Sequence, residues 1–368
     1  MQTTMTTLSL DRAADAPVPQ AIAPRHRIAD DRAMLRTAAD LTRDLLVPRP
    51  AIYWGDLIAS ALVGYAALAV ATTTASTAAM IVAGTVSMLA LYRALSFIHE
   101  VSHMKHVSVP GFRHGWNALV GVPLLTPSFM YEGVHNLHHA KTRYGTAQDP
   151  EYLPLALMKP WTLPLFVVVS ALAPVALLVR YAVLSPLSVL VPALRTVVVE
   201  RYSALAINPA FRRRAPEGTA QVYWNRVEAA ASVWAIAVVV LVATGIVPLR
   251  SAVIAFVIVS AVAVINQVRT LVAHLWENEG EAMTVTAQYL DSVNVPPPTL
   301  LPALWAPVGL RYHALHHLLP SLPYHALGEA HRRLTAALDA DSPYHKASYA
   351  GLPGLVGRIA RSTMRLAR

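Results

Sequence analysis

The residues in this chain whose types and spacing are best suited to chemistry are histidines. Cysteine is absent from the 368 residues, so a bound metal would need His, Asp or Glu ligands. Imidazole suits iron, zinc, copper and nickel. Nine of the 15 histidines form three compact motifs and one isolated position: His99, His103, His135, His138, His139, His274, His313, His316 and His317. The pattern predicts a metal centre.

The spacing within each motif favours a shared target. HEVSH separates His99 from His103 by four residues, and HNLHH and HALHH are two copies of an H-x-x-H-H pattern. On a helix, residues i, i+3 and i+4 lie on one face, so each motif can direct its imidazoles to one point. Nine imidazoles exceed the roughly four to six ligands that one metal takes, and they are enough for two metals.

The composition indicates a membrane protein. Hydrophobic residues make up 55% of the chain and charged residues only 14%, against about 25% charged in soluble domains. This excludes disordered, collagen-like and disulfide-scaffold classes and argues against an ordinary soluble enzyme. The net charge of +9 is explained by an anionic membrane surface, so we expect no nucleic-acid partner.

Four apolar segments are long enough to span a bilayer, which needs about 20 residues. They are residues 52–72, 76–96, 229–247 and 250–268. Short turns join them in pairs, which predicts an all-α integral membrane protein with two transmembrane hairpins. A further stretch, 161–194, contains four prolines and Arg180, and we expect it to form re-entrant or interfacial helices.

This topology brings all the histidine motifs to one membrane face. Two spans precede the first motif, and two more precede His274. All but three of the 30 Lys and Arg residues lie outside the apolar segments. By the positive-inside rule we expect the face that carries the histidine motifs to be cytoplasmic. We expect both termini on the same face, in a bacterial-type inner membrane. Asp56 and Arg93 lie at similar depths in the first hairpin and are expected to pair, or else to reach the interface separately.

The chain divides into three parts. Residues 1–49 form a polar tail, without the apolar segment of a signal peptide, and a helix before the membrane. Residues 50–340 form the membrane domain, with interfacial helices and a cytoplasmic helical cap that carries the histidine motifs. Residues 341–368 form a basic amphipathic tail, which we expect to lie on the membrane surface.

The three motifs resemble the histidine boxes of membrane fatty acid desaturases and related hydroxylases, in order and placement. YGTAQDPEYLP after the second motif and PVGLRYHALHHLLPSLPYHALGEAHRRL around the third are also similar. The resemblance covers roughly residues 50–340. It implies a non-haem di-iron centre that uses O₂ and two electrons to introduce a double bond into a fatty acyl chain. It also implies that the eight box histidines are iron ligands and, through VAHLW, that His274 is a ninth.

Four further residues are candidates to support these ligands. Asp149 and Glu151 follow the second motif and could orient imidazoles, or could cap a loop. Glu100 lies within the first motif. In acyl-CoA desaturases, an Asn four residues before the lone His contacts a metal through a water molecule. Thr270 occupies the corresponding position in this chain, so the role of that Asn is not transferred to it.

Three other functions remain open. A lipid hydroxylase would share the same di-iron site, because histidine spacing does not locate the substrate C–H bond. HEVSH also matches the H-E-x-x-H motif of zinc metalloproteases, in which Glu100 would be the general base. An intramembrane protease would leave both H-x-x-H-H motifs and His274 unexplained. A structural or binding role is the third alternative.

The resemblance also implies the partners. The substrate would be a fatty acyl lipid, an acyl-CoA or an acyl-ACP within or beside membrane lipid. Electrons would come from an external donor such as ferredoxin or another carrier. We expect an acidic carrier to dock on the basic face, where Arg212, Arg213 and Arg214 form the densest run, unless these arginines bind lipid headgroups instead.

Overall fold

The computed structural model describes residues 28–366, so the predicted tail over residues 1–27 lies outside the described residues. The described range is helical and contains no β-strand, only isolated bridges, which confirms the all-α prediction. The helices are α1 (Arg32–Leu41), α2 (Pro50–Thr73), α3 (Thr77–His103), α4 (Phe112–Trp116), α5 (His135–His138), α6 (Thr162–Leu190), α7 (Pro192–Tyr202), α8 (Gly218–Ala243), α9 (Leu249–Leu271), α10 (Val285–Asp291), α11 (Pro302–Trp305), α12 (His313–Leu318), α13 (Leu327–Ala337) and α14 (Leu352–Leu366).

The four predicted spans correspond to α2, α3, α8 and α9. Pro50 begins α2 at a position that needs no backbone donor, and the Ser76 side chain caps α3 by accepting from the Ala79 amide at 3.3 Å. α2 and α3 pack closely because Gly64 has no side chain. A Cβ there would lie 2.6 Å from a methyl carbon of Leu91. α3 continues beyond the predicted span to His103, and this extension carries the first histidine motif.

Within residues 161–194 the helix breaks only at Val191, before Pro192. α6 is one helical segment of 29 residues and, with the other four, is long and apolar enough to cross a membrane. Its prolines fall where they are tolerated. Pro174 follows a 3₁₀ turn and Pro186 follows a π turn, so each begins a new α-helical segment. A proline in a first turn removes no required hydrogen bond.

Two contacts of α6 locate it relative to α8 and α9. Near its start, Leu163 packs in one cluster with Leu271, at the end of α9 from which the chain continues to His274. Further along, Arg180 donates to Glu228 at 2.7 Å in the first half of α8. Because α8 begins and α9 ends on the histidine side, both parts of α6 lie towards that side.

The charged pair in the first hairpin forms as predicted. The Arg93 guanidinium donates to both Asp56 carboxylate oxygens, at 2.7 and 2.5 Å. Tyr324 also donates to Asp56 at 2.9 Å. This network therefore links α2 and α3 to the segment that follows the third histidine motif.

The C-terminal helix α14 forms, but its apolar face is not available to a membrane. Leu355 and Ile359 are each 1% exposed. Leu355 packs with Val272 and Ile359 packs with Leu155, both next to the histidine region. The protein core thus covers the face that the amphipathic pattern marks as buried, and the position of α14 on the membrane surface stays a prediction.

Candidate metal centre

Four separate parts of the chain carry the nine histidines into one buried region. The last turn of α3 provides His99 and His103, and α5 with the residue after it provides the second motif. The third motif lies on α12, held in place where Asn294 accepts from the Leu315 amide at 3.0 Å. His274 follows α9 and forms an isolated bridge with Ser292.

The nine imidazoles separate into two groups. In each group, the candidate ligand atoms all lie within 4.8 Å of one another. The first group has five members: His99, His103, His135, His139 and His316. The second group has four members: His138, His274, His313 and His317. The five-histidine group and the four-histidine group each have enough donors for one metal, so the arrangement suits two metals.

The donor nitrogens face one another closely within each group. In the five-histidine group, His316 Nε2 lies 3.0 Å from His103 Nε2 and 3.2 Å from His139 Nε2. In the four-histidine group, His313 Nε2 lies 3.1 Å from His274 Nε2 and 3.2 Å from His317 Nε2. Converging nitrogens at these distances form a cavity that a small cation would suit.

Carboxylates behind the second motif fix the orientation of two imidazoles. His138 Nδ1 lies 2.9 and 3.0 Å from the two oxygens of Asp149. His135 Nδ1 lies 2.8 Å from Glu151 Oε1, and Tyr131 donates to the other Glu151 oxygen at 2.7 Å. Burial raises the pKa of Glu151 to about 7. When these carboxylates are ionised they only accept, so Nδ1 carries the proton and the Nε2 lone pair points into the group. This is the usual way in which proteins orient a metal-binding histidine.

The support for His274 comes from residues whose role the sequence did not show, although Tyr144 and Tyr152 lie in the family-like segment YGTAQDPEYLP. Its Nδ1 lies 2.8 Å from the Tyr144 hydroxyl and 3.2 Å from the Ser292 hydroxyl. Asp291 accepts from Tyr144 at 3.1 Å and from Tyr152 at 2.9 Å. Tyr144 and Asp291 are 147 residues apart, so no local pattern could have connected them.

The electrostatics of the site fit metal ligation. Burial lowers the pKa of His139, His313 and His317 well below its usual value, and the neighbouring histidines lower it further. These rings are therefore neutral, the form that binds metals. Within the described residues, both ring nitrogens of His99 and the Nδ1 atom of His316 are buried without a hydrogen-bond partner. A metal cation bound between these neutral imidazole nitrogens would accept their lone pairs and so stabilise the arrangement.

Glu100 does not face the metal groups. Its carboxylate accepts from the Tyr53 hydroxyl and from the Tyr324 amide, the latter at 3.1 Å. Its nearest approach to His99 Nδ1 is 3.8 Å, which is too long for a hydrogen bond. The carboxylate therefore joins α2 and α3 to the chain after the third motif. A general base of a zinc protease would instead have to face the metal.

Thr270 forms a hydrogen bond within its own helix. Its hydroxyl donates to the carbonyl of Asn266, one turn earlier in α9, at 3.0 Å. This is the usual bond of a threonine within a helix.

The arginine run is not one exposed patch. Arg213 is turned inward, where it donates to the Phe129 carbonyl at 2.5 Å and to the Glu132 carbonyl at 2.9 Å. Arg212 and Arg214 are exposed. Burial lowers the pKa of Arg213 to about 10. The middle arginine therefore stabilises the loop, and a docking partner could reach only its two neighbours.

Comparison with known proteins agrees with this geometry. The sequence profile of the fatty acid desaturase family matches residues 72–349. A ceramide hydroxylase from Caulobacter vibrioides (strain NA1000 / CB15N) is 52% identical over 335 residues, which cover 91% of this chain and 95% of that protein. The chain therefore belongs to the fatty acid desaturase family, whose members are membrane oxidoreductases of the desaturase and hydroxylase type.

Proposed function

We propose that this protein is a membrane-bound di-iron hydroxylase that uses O₂ to insert one oxygen atom into a C–H bond of a ceramide-type lipid. The observation that carries the oxygenase chemistry is the division of nine histidines, seven of them buried and two partly buried, into groups of five and four. The lipid class comes from the ceramide hydroxylase to which the chain is 52% identical.

The same relative favours hydroxylation over the desaturation expected from the sequence. Both reactions begin at an unactivated C–H bond and consume O₂ and two electrons. A hydroxylase leaves one oxygen atom on the carbon and releases the other as water, whereas a desaturase removes a second hydrogen and releases both oxygen atoms as water. Histidine spacing is the same in both, so the support for hydroxylation comes from the relative.

Iron bound to both groups would supply the oxidising power that cleavage of such a bond requires. The residues of the chain provide the rest. Asp149 and Glu151 hold His138 and His135 in a fixed tautomer, and Tyr144 and Ser292 orient His274. Burial of the imidazoles excludes water, which would otherwise compete for the metal positions and quench an oxidant.

Electrons would come from a separate carrier, for which a ferredoxin-like protein is our proposal. The exposed Arg212 and Arg214 are suited to an acidic carrier, since opposite charges speed association. We further propose that the histidine face and both termini are cytoplasmic, in a bacterial inner membrane, because nearly all basic residues lie on that side of the spans.

The test is turnover of ceramide by purified protein in lipid nanodiscs, with reduced ferredoxin and isotopically labelled O₂, followed by mass spectrometry. We expect a product that has gained one labelled oxygen atom, and no product from His316→Ala. A product that has lost two hydrogens and gained no label would overturn hydroxylation in favour of desaturation. Cleavage of a membrane peptide, abolished by Glu100→Gln while zinc is retained, would support the protease alternative instead.

A further inference from the structure

Arg269 is a charged residue in the last turn of α9 whose guanidinium lies near the Tyr92 hydroxyl of α3 but is only partly paired. Its Nε atom is buried and has no hydrogen-bond partner within the described residues. One terminal nitrogen approaches the Asn266 side-chain oxygen at 3.4 Å, which is a long contact. A charge at the end of a membrane span is expensive unless it is paired or functional.

Three other arginines in the membrane helices are satisfied by the protein, and Arg226 of α8 is exposed. Arg93 and Arg180 each form an ion pair with a carboxylate, at 2.5 and 2.7 Å. Arg250, at the opposite end of α9, donates to two backbone carbonyls at 3.1 and 2.9 Å. The fold thus provides partners for these guanidinium groups, and Arg269 differs in that its Nε has no such acceptor among the residues described.

The position of Arg269 relates it to the metal groups. It lines a small cavity of about 10 Å³ together with His313 of the four-histidine group and Trp305 of α11. Valine and leucine side chains form most of the remaining wall, which also includes Arg311. Arg311 donates to the carbonyls of Val295 and Thr299 at 2.8 and 2.9 Å, so Arg269 is the cation on this wall whose donors are not all used, and a candidate metal ligand lies beside it.

The cavity is close to the lipid-facing surface. α11 is one turn long and contacts both α3 and α9, and Tyr92 of α3 donates to the Trp305 carbonyl at 2.8 Å. Leu300 and Leu301, just before this turn, are 83% and 66% exposed. Exposed leucines beside a membrane span are suited to contact with acyl chains. A lipid could thus reach Arg269 from the membrane by displacing one short turn.

We propose that Arg269 binds the polar backbone of the lipid substrate, namely its amide and hydroxyl oxygens, and so sets which carbon lies next to the metals. This inference rests on the proposed function. Arginine has five N–H donors and no acceptor, so it can hold two uncharged oxygens of one lipid at once. The acyl chain beyond those oxygens would lie along the apolar wall.

The test compares Arg269→Gln and Arg269→Lys with the matched control Arg250→Gln on the same helix. We measure iron content, KM and kcat for ceramide, and the position of the new hydroxyl. Loss of a charge-assisted hydrogen bond in a buried site predicts a KM about 10- to 100-fold higher in Arg269→Gln. We also expect unchanged iron, a smaller change in kcat and a mixture of hydroxyl positions. Arg269→Lys should recover part of the KM, and Arg250→Gln should match the wild type.

Two results would overturn the inference. One is a KM and a hydroxyl position in Arg269→Gln equal to those of the wild type. The other is equal loss of iron in both Arg269 variants, which would show a structural role. Binding of ceramide to metal-free protein, measured by native mass spectrometry, separates this inference from the proposed function. Wild-type protein that binds ceramide more tightly than Arg269→Gln, but never hydroxylates it, would contradict only the proposed function.

Discussion

Substitution of Asp149 by Asn should weaken metal binding in one group and spare the other. Asp149 is fully buried and receives the His138 imidazole at 2.9 Å and the backbone amides of Gly145 and Glu151 at 2.8 Å each. Asn keeps the size and one acceptor oxygen but removes the charge. The loop can therefore keep its shape, while His138 loses the carboxylate that fixes its tautomer.

The size of the effect follows from this single interaction. A hydrogen bond to a charged group contributes about 1.5–3 kcal/mol, and each ~1.4 kcal/mol is a tenfold change in affinity. The four-histidine group should therefore bind iron about 10- to 100-fold more weakly, which agrees with the usual effect of removing a partner behind a metal ligand. The five-histidine group does not include His138 and should keep its iron.

The assay is iron content per chain after dialysis against increasing concentrations of a chelator. Asp149→Asn should lose about half of its iron at a concentration that leaves the wild type loaded. Asp44→Asn is the matched control, because Asp44 forms an exposed pair with Arg333 at 2.7 Å, away from the site. Release of iron from Asp149→Asn and the wild type at the same chelator concentration would refute the role given to Asp149.

Three further predictions concern other parts of the molecule. Asp56→Asn leaves the Arg93 guanidinium without its carboxylate, so the melting temperature in detergent should fall by an amount equivalent to about 1–3 kcal/mol. An unchanged melting temperature would show that the ion pair adds no stability. Arg213→Gln should also lower the melting temperature, whereas Arg212→Gln should leave it unchanged and weaken only the salt-dependent reaction with ferredoxin. Burial lowers the pKa of His331 from 6.5 to about 4. Between these two pH values His331 is protonated in the unfolded chain but neutral in the folded protein, so the stability of the fold should decrease as the pH falls from 6.5 to about 4. Melting curves across pH should show a smaller fall for His331→Gln.

The membrane helices could be predicted because a run of roughly 20 apolar residues is typical of a helix that spans a membrane. The course of α6 could not be predicted, because a proline ends a helix or is tolerated in it according to its position within a helical turn. Pro174 and Pro186 begin new helical segments after tighter or wider turns, and the sequence does not show where those turns lie. For α14, the amphipathic pattern marked the buried face correctly. It could not show whether lipid or protein covers that face.

The histidines could be located because helical spacing brings each motif to one face, and the hairpins bring the motifs to one membrane side. Division into groups of five and four depends on which rings from distant motifs meet. His316 joins the group of His103 while its neighbour His317 joins that of His138, and adjacent residues of one motif give no sign of this. Tyr144 and Asp291 were not found because contacts between distant residues leave no local pattern.

The most direct test of the two-metal site is the metal content of purified protein and of one variant from each group. Elemental analysis should find about two irons per chain in the wild type and about one in each of His274→Ala and His103→Ala, since each variant disrupts one group of ligands. One zinc per chain without iron, or an iron content that neither substitution changes, would contradict the assignment of two metals to these nine histidines.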